Sequence, residues 1–80
     1  MVRTMNKAIS EDVMEKIIFR LLRNADEAYA EHIKDRKDEF EDGRSLAYYE
    51  MLETIQNELE ANGIDLKKYN LDVNLEEKYI

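Results

Sequence analysis

The stretch from Asp38 to Gly63, DEFEDGRSLAYYEMLETIQNELEANG, holds a helix start, one apolar face and a helix stop. Asp38 followed by Glu41 is a capping-box pattern: the first carboxylate accepts from free N–H groups and Glu41 is placed to reach back. At about 100° per residue, Phe40, Arg44, Ala47, Tyr48, Met51, Leu52, Ile55 and Leu59 fall on one arc, which is the expected core face. Asn62-Gly63-Ile64 reads as the stop, with Gly63 in the left-handed conformation and Ile64 folding back toward Leu59. A helix over residues 38–62 is therefore predicted. Gly43 interrupts it at a cost of roughly 1 kcal/mol against alanine. Close approach of another helix is the expected reason; a break, with residues 35–43 as the loop, is the competing one.

A second helix is predicted over residues 11–34. Ser10 is its N-cap, Glu11, Asp12 and Glu15 sit near the positive end of its dipole, and Ile9 is placed to staple onto Met14. It carries two seams. Met14, Ile18, Leu21, Ala25, Ala28 and His32, flanked by Val13 and Ile17, suit packing on the other long helix. Phe19, Leu22, Asp26, Tyr29 and Ile33 form the other seam, and an isolated hairpin leaves it uncovered. Either residues 64–80 or another subunit must cover it, and another subunit is the expectation, since exposed apolar patches mark contacts. Leu46 and Tyr49 also point away from the expected core arc.

Between the helices, Asp35-Arg36-Lys37 is the expected turn, where basic residues at one helix end give way to acidic ones at the next start. After Gly63, Asp65 caps a short turn, Leu66 to Tyr69, which Asn70 ends. Leu71, Val73 and Leu75 then alternate with polar residues, a strand-like pattern with no partner strand in the chain. An extended apron lying on the hairpin is expected, with pairing to another subunit as the alternative. Residues 1–9 are expected to fray, and Met5 offers a second possible start.

The fold class is all-α: one domain, an antiparallel hairpin of two long helices with a short C-terminal turn and extended tail, expected to form a dimeric four-helix bundle. Eighty residues make only a marginal core, which self-association would supplement. The expected interface is Phe19, Leu22, Tyr29, Ile33, Leu46 and Tyr49, and the expected partner is a second copy, with another protein as the alternative.

Several chemistries lack their residues. There is no cysteine and one histidine, so thiolate sites, disulfides and paired-histidine metal sites are excluded. Tyr29 stands where a di-iron Glu-x-x-His motif needs glutamate. Ser10 and Ser45 have no triad or nucleophile elbow, and Gly43-Arg44-Ser45 is no phosphate loop. No enzyme activity and no cofactor are implied. His32 is expected near the open end of the hairpin with one nitrogen in water, or as a proton switch beside Asp35. Arg44, the polar member of the core arc, is expected to reach Glu41 or a carboxylate on the first helix.

The net charge is −7, and residues 38–80 carry 12 acidic and 4 basic groups against 7 and 8 in residues 1–37. Acidity opposes phosphate contact, so nucleic acid is not an expected partner and Tyr48-Tyr49 is not read as a stacking platform. Lys16, Arg20, Arg23 and Lys34 share a mixed face with Glu27, where Asp12–Lys16 and Arg23–Glu27 pairs are expected. A basic partner for Glu50, Glu53, Glu58 and Glu60 is the alternative function, that of a small acidic regulator or inhibitor. No stretch is long enough to span a membrane or act as a signal peptide, and a cytoplasmic location is expected.

Gly43-Arg44-Ser45-Leu46-Ala47-Tyr48-Tyr49-Glu50-Met51-Leu52, followed by Ile55, Gly63-Ile64-Asp65 and Leu71-Asp72, resembles a family of small all-helical bacterial proteins of unknown function. They share a "GR..AYYE.L..I" helix, and some resemble accessory proteins of mobile elements. The resemblance covers about half the chain, and Asn70 stands where such tails tend to have glycine. It implies a helical hairpin and no known activity.

Overall fold

Both long helices begin on side-chain caps, and the second ends on a backbone motif, all of them written in the sequence. In the computed structural model, which describes residues 9–80, α1 spans Glu11–Lys34 and α2 spans Glu39–Ala61. A 3-10 turn covers Leu66–Tyr69, and a short α3 covers Leu75–Tyr79. The expected frayed start and the Met5 alternative lie outside the described residues, apart from Ile9, which is exposed rather than stapled down.

Ser10 Oγ accepts from the Val13 N–H at 3.2 Å, and Asp38 Oδ1 accepts from those of Phe40 and Glu41 at 3.0 and 3.3 Å. The Glu41 carboxylate does not close a capping box. It accepts instead from Arg44 Nε and Nη2 at 3.1 and 3.0 Å, because a guanidinium one turn on offers two charge-assisted bonds in place of one to a backbone amide. At the far end, Gly63 has φ 71° while its N–H donates to Glu60 O and that of Ile64 donates to Leu59 O, the two bonds of a Schellman motif.

α2 passes through Gly43 without a break. A Cβ built there meets nothing within 4 Å, so no neighbouring helix among the described residues explains it. Both expectations for Gly43 are thus corrected.

The antiparallel hairpin is as expected, and the tail lies on it as the expected apron would, but its last residues are helical rather than extended. Asp65 Oδ1 accepts from Lys67 N–H, and Asn70 ends the turn in the left-handed region at φ 57°, which asparagine tolerates better than other side chains. The strand-like alternation then stops at Asn74, whose Oδ1 accepts from the Glu77 N–H and starts α3. The alternation implies extended chain as far as Leu75 and a loose end beyond it, with Tyr79 and Ile80 able to dock; residues 75–79 are instead helical and Tyr79 is buried. Asn74 followed by Glu77 was the legible cap signal, masked by the alternation before it.

The tail completes the core. Tyr69, Leu71, Leu75 and Tyr79 are buried with Ile18, Leu22 and Ala25 of α1 and Leu52 of α2. Ala25 and Ala28 are fully buried, and their small side chains let α2 come close. Gln56 Nε2 donates to both Leu71 O and Val73 O at 2.9 Å, pinning the tail backbone to α2. Tyr79 Oη donates to Asp26 Oδ1 at 2.6 Å, pinning α3 to α1.

Docking the tail turns α2. Its buried and half-buried face runs through Ser45, Tyr48, Tyr49, Leu52, Gln56 and Leu59, roughly 70° around the helix from the apolar arc. Phe40, Ala47 and Met51, expected in the core, are exposed, with Phe40 at 72%. Counting only apolar residues missed Ser45 and Gln56, which the tail-facing side uses.

Candidate protein-interaction surface

A two-helix hairpin has two long sides, and here one is occupied. The tail fills the groove between Leu22, Tyr29 and Asp26 of α1 and Tyr49, Leu52 and Gln56 of α2. The opposite side keeps Val13 and Ile17 of α1 exposed at 47% and 41%, with Met51 of α2 at 43%. Half-buried Leu21, Tyr48 and Ile55 lie between them on the same side. Helical geometry places Val13, Ile17 and Asn24 within one arc of α1, and Phe40, Arg44, Met51 and Ile55 within one arc of α2.

The six residues expected at an interface do not gather into one patch. Leu22 is buried and Tyr29 half-buried beneath the tail, the Tyr29 ring meeting that of Tyr79 edge-on at 6.0 Å. The tail thus covers the middle of the second α1 seam, where another subunit was expected. Phe19, 58% exposed, stands on one flank of the tail in a groove of about 430 Å3 with Val73 and Lys78. Ile33 is exposed on α1 near the turn. Leu46 stands on the other flank beside Tyr79 and Ile80. Tyr49 is half-buried there and donates to Glu53 Oε2 at 3.0 Å. That hydrogen bond, ahead of desolvation and the charges of Glu53, Glu76 and Glu50, raises the Tyr49 pKa. Periodicity identified apolar positions but had no access to the tail that separates them.

His32 sits at the closed end of the hairpin rather than the open one. Its Nε2 is 3.8 Å from Asp42 Oδ1, not paired with Asp35, and its Nδ1 is buried without a hydrogen-bond partner. The neighbouring rings are Tyr29, at 6.1 Å, and Tyr79.

Charge lies along the edges of the open side. Lys16, Arg20 and Arg23 are exposed on α1, and Glu50 and Glu58 on α2. Among the described residues none of these five makes an ion pair; the pairs present are Lys34–Glu31, Arg44–Glu41, Lys68–Glu11 and Lys78–Asp26. The expected Asp12–Lys16 and Arg23–Glu27 pairs are not formed, as is common for long exposed side chains that gain little from pairing in water. On the tail side, Glu53, Glu60, Asp72 and Glu76 line an acidic groove of about 420 Å3 with Tyr49.

Among the described residues no group of three or more His, Asp or Glu side chains is placed to hold a metal ion, and no helix is long and apolar enough to cross a membrane. Compared with protein-family models, curated proteins and solved structures, the chain matches none.

Proposed function

We propose that this protein is a non-catalytic protein–protein interaction module that self-associates through an apolar helix face, and that the face used is the open side of the hairpin. Two hairpins joined there make a dimeric four-helix bundle, with each tail on the outside. The observation that carries this reading is the exposure of Val13, Ile17 and Met51 on a side that none of the described residues covers, while the tail consumes the other side. A core shared between two chains also offsets the small size of each.

The test is absolute molar mass by light scattering across a concentration series. A mass of twice 9.5 kDa is expected, and a monomer at every concentration would overturn the reading. Ile17→Glu with Met51→Glu should yield a folded monomer, because both positions are exposed in the single chain. Phe19→Ala with Leu46→Ala, on the tail flanks, should leave the dimer intact.

The second reading, a small acidic regulator or inhibitor, is favoured by the acidic groove beside Tyr49. It predicts capture of a basic protein that weakens steeply as salt is raised.

A further inference from the structure

The two helices that border the open side differ in charge, and that difference selects one way of pairing two copies. The argument rests on the preceding reading, that this side is a self-association surface. A two-fold axis can bring the same side of two hairpins together in two ways. With the axis across the helices, α1 lies on α1 and α2 on α2. With the axis along the helices, α1 of each protomer lies on α2 of the other, antiparallel.

The first arrangement sets α2 against itself. On the edge that borders the open side it carries Glu50 and Glu58, while Glu53 and Glu60 face the tail and its single base, Arg44, is already bound to Glu41 of its own chain. Like charges placed opposite one another cost several kcal/mol.

The second arrangement does the reverse. His32 lies across from Asp42, which sets the register of the hairpin. Counting equally along both helices from that pair, Lys16 is level with Glu58, and Arg23 is level with Met51, next to Glu50. A rotation about an axis parallel to the helices leaves height along them unchanged. Between protomers, therefore, Lys16 comes level with Glu58 of the partner subunit and Arg23 with Glu50 of the partner subunit. Arg20 falls between those two carboxylates. All five groups are free of ion pairs within the described chain, so no existing bond is given up.

We propose that a second copy of this chain docks on the open side with its α2 across α1, the basic edge Lys16–Arg20–Arg23 meeting the acidic edge Glu50–Glu58, around a seam of Val13, Ile17 and Met51. The molecule is 50 × 25 × 18 Å. Even its narrower long side gives room for the roughly 800 Å2 per partner that a stable interface buries.

The test uses three full-length variants and the dimer dissociation constant by sedimentation equilibrium, with circular dichroism to verify folding. Lys16→Glu with Arg23→Glu makes both edges acidic, and Glu50→Lys with Glu58→Lys makes both basic. Each pair should weaken the dimer at least about tenfold. The chain carrying all four substitutions should return to within about threefold of wild type, because the exchanged edges again oppose unlike charges. If the four-fold variant stays as weak as the two-fold ones, the helices pair like with like and the proposed arrangement is wrong. If neither two-fold variant weakens a wild-type dimer, the edges do not meet and the proposal fails while the self-association reading stands. A wild-type protein that is monomeric throughout overturns the self-association reading itself.

Discussion

The two long sides of the hairpin begin from similar residues and end in different states. On α1, Ile18 and Ile17 are adjacent in sequence, yet Ile18 is fully buried and Ile17 is 41% exposed. What separates them is the tail, which brings Tyr69, Leu71, Leu75 and Tyr79 onto one side only. Hydrophobicity therefore does not distinguish a core face from an exposed one in a domain this small. The difference lies in which face the chain itself returns to cover.

That contrast is tested most strongly by truncating one residue on each side. Leu71 is wholly buried, so Leu71→Ala should lose about 2–5 kcal/mol in urea unfolding at fixed protein concentration, from lost transfer energy and the remaining cavity. For 80 residues a total of roughly 4–12 kcal/mol is expected, so this variant should be close to unfolding. Ile17→Ala should cost under about 1 kcal/mol in a sample dilute enough to be monomeric. At higher concentration it should cost more, because the proposed dimer would add stability by mass action. Equal losses at both sites in the dilute sample would erase the distinction between the two sides.

The tail is held by polar pins as well as apolar contact, and these come next in size. Gln56→Ala removes two donors and leaves the Leu71 and Val73 carbonyls without them. The expected loss is about 2 kcal/mol, with faster amide exchange confined to residues 66–79. A uniform loss of protection would show that the tail and the hairpin are one cooperative unit.

These pins also mark where the sequence stopped being informative. The caps at Ser10, Asp38, Gly63 and Asp65 depend on residues at most five apart, and all four form, although Glu41 turns to Arg44 rather than closing the box at Asp38. The Tyr79–Asp26 bond spans 53 positions and the Gln56 bonds span 15 and 17. No periodicity encodes such contacts, so the second α1 seam was assigned to another subunit although Asp26, its apparent interruption, is the acceptor for the tail. The same limit explains why the buried face of α2 was misplaced: Ser45 and Gln56 belong to it for reasons set by the tail. The open side was missed as well. Its residues were counted as core, which is what a helix face looks like before its neighbour is known.

Tyr79→Phe tests the more distant pin. Loss of a hydrogen bond to a carboxylate should cost about 1.5 kcal/mol at neutral pH. Burial, then the bond to Asp26, raises the Tyr79 pKa well above its ordinary value of 10.0. The folded state thus keeps the proton through a range in which the unfolded chain has lost it. Stability is fully present below pH 10 and is lost progressively above it, as the unfolded state ionises first. Denaturation midpoints measured from pH 8 to 11 should fall less steeply in Tyr79→Phe than in wild type. Parallel curves would mean that Tyr79 is not the group responsible.

The smallest effects compare the two glycines, which the chain uses in opposite ways. Gly63, at φ +71°, holds a conformation that a Cβ disfavours, so Gly63→Ala should cost about 1–2 kcal/mol. Gly43 lies inside α2 with open space around it, so Gly43→Ala should stabilise the monomer by about 0.5–1 kcal/mol through lower unfolded-chain entropy and better helix propensity. The second substitution also tests the open side. Gly43 is close to its edge, near Phe40 and Ala47, at the height where Glu31 of the partner subunit would pass in the proposed dimer. A stabilised monomer whose dimer is unchanged leaves Gly43 as a propensity defect with no compensation in the fold. A stabilised monomer whose dimer dissociates more readily would identify it as the point where the second chain comes closest, and would give the glycine the role that no helix among the described residues fulfils.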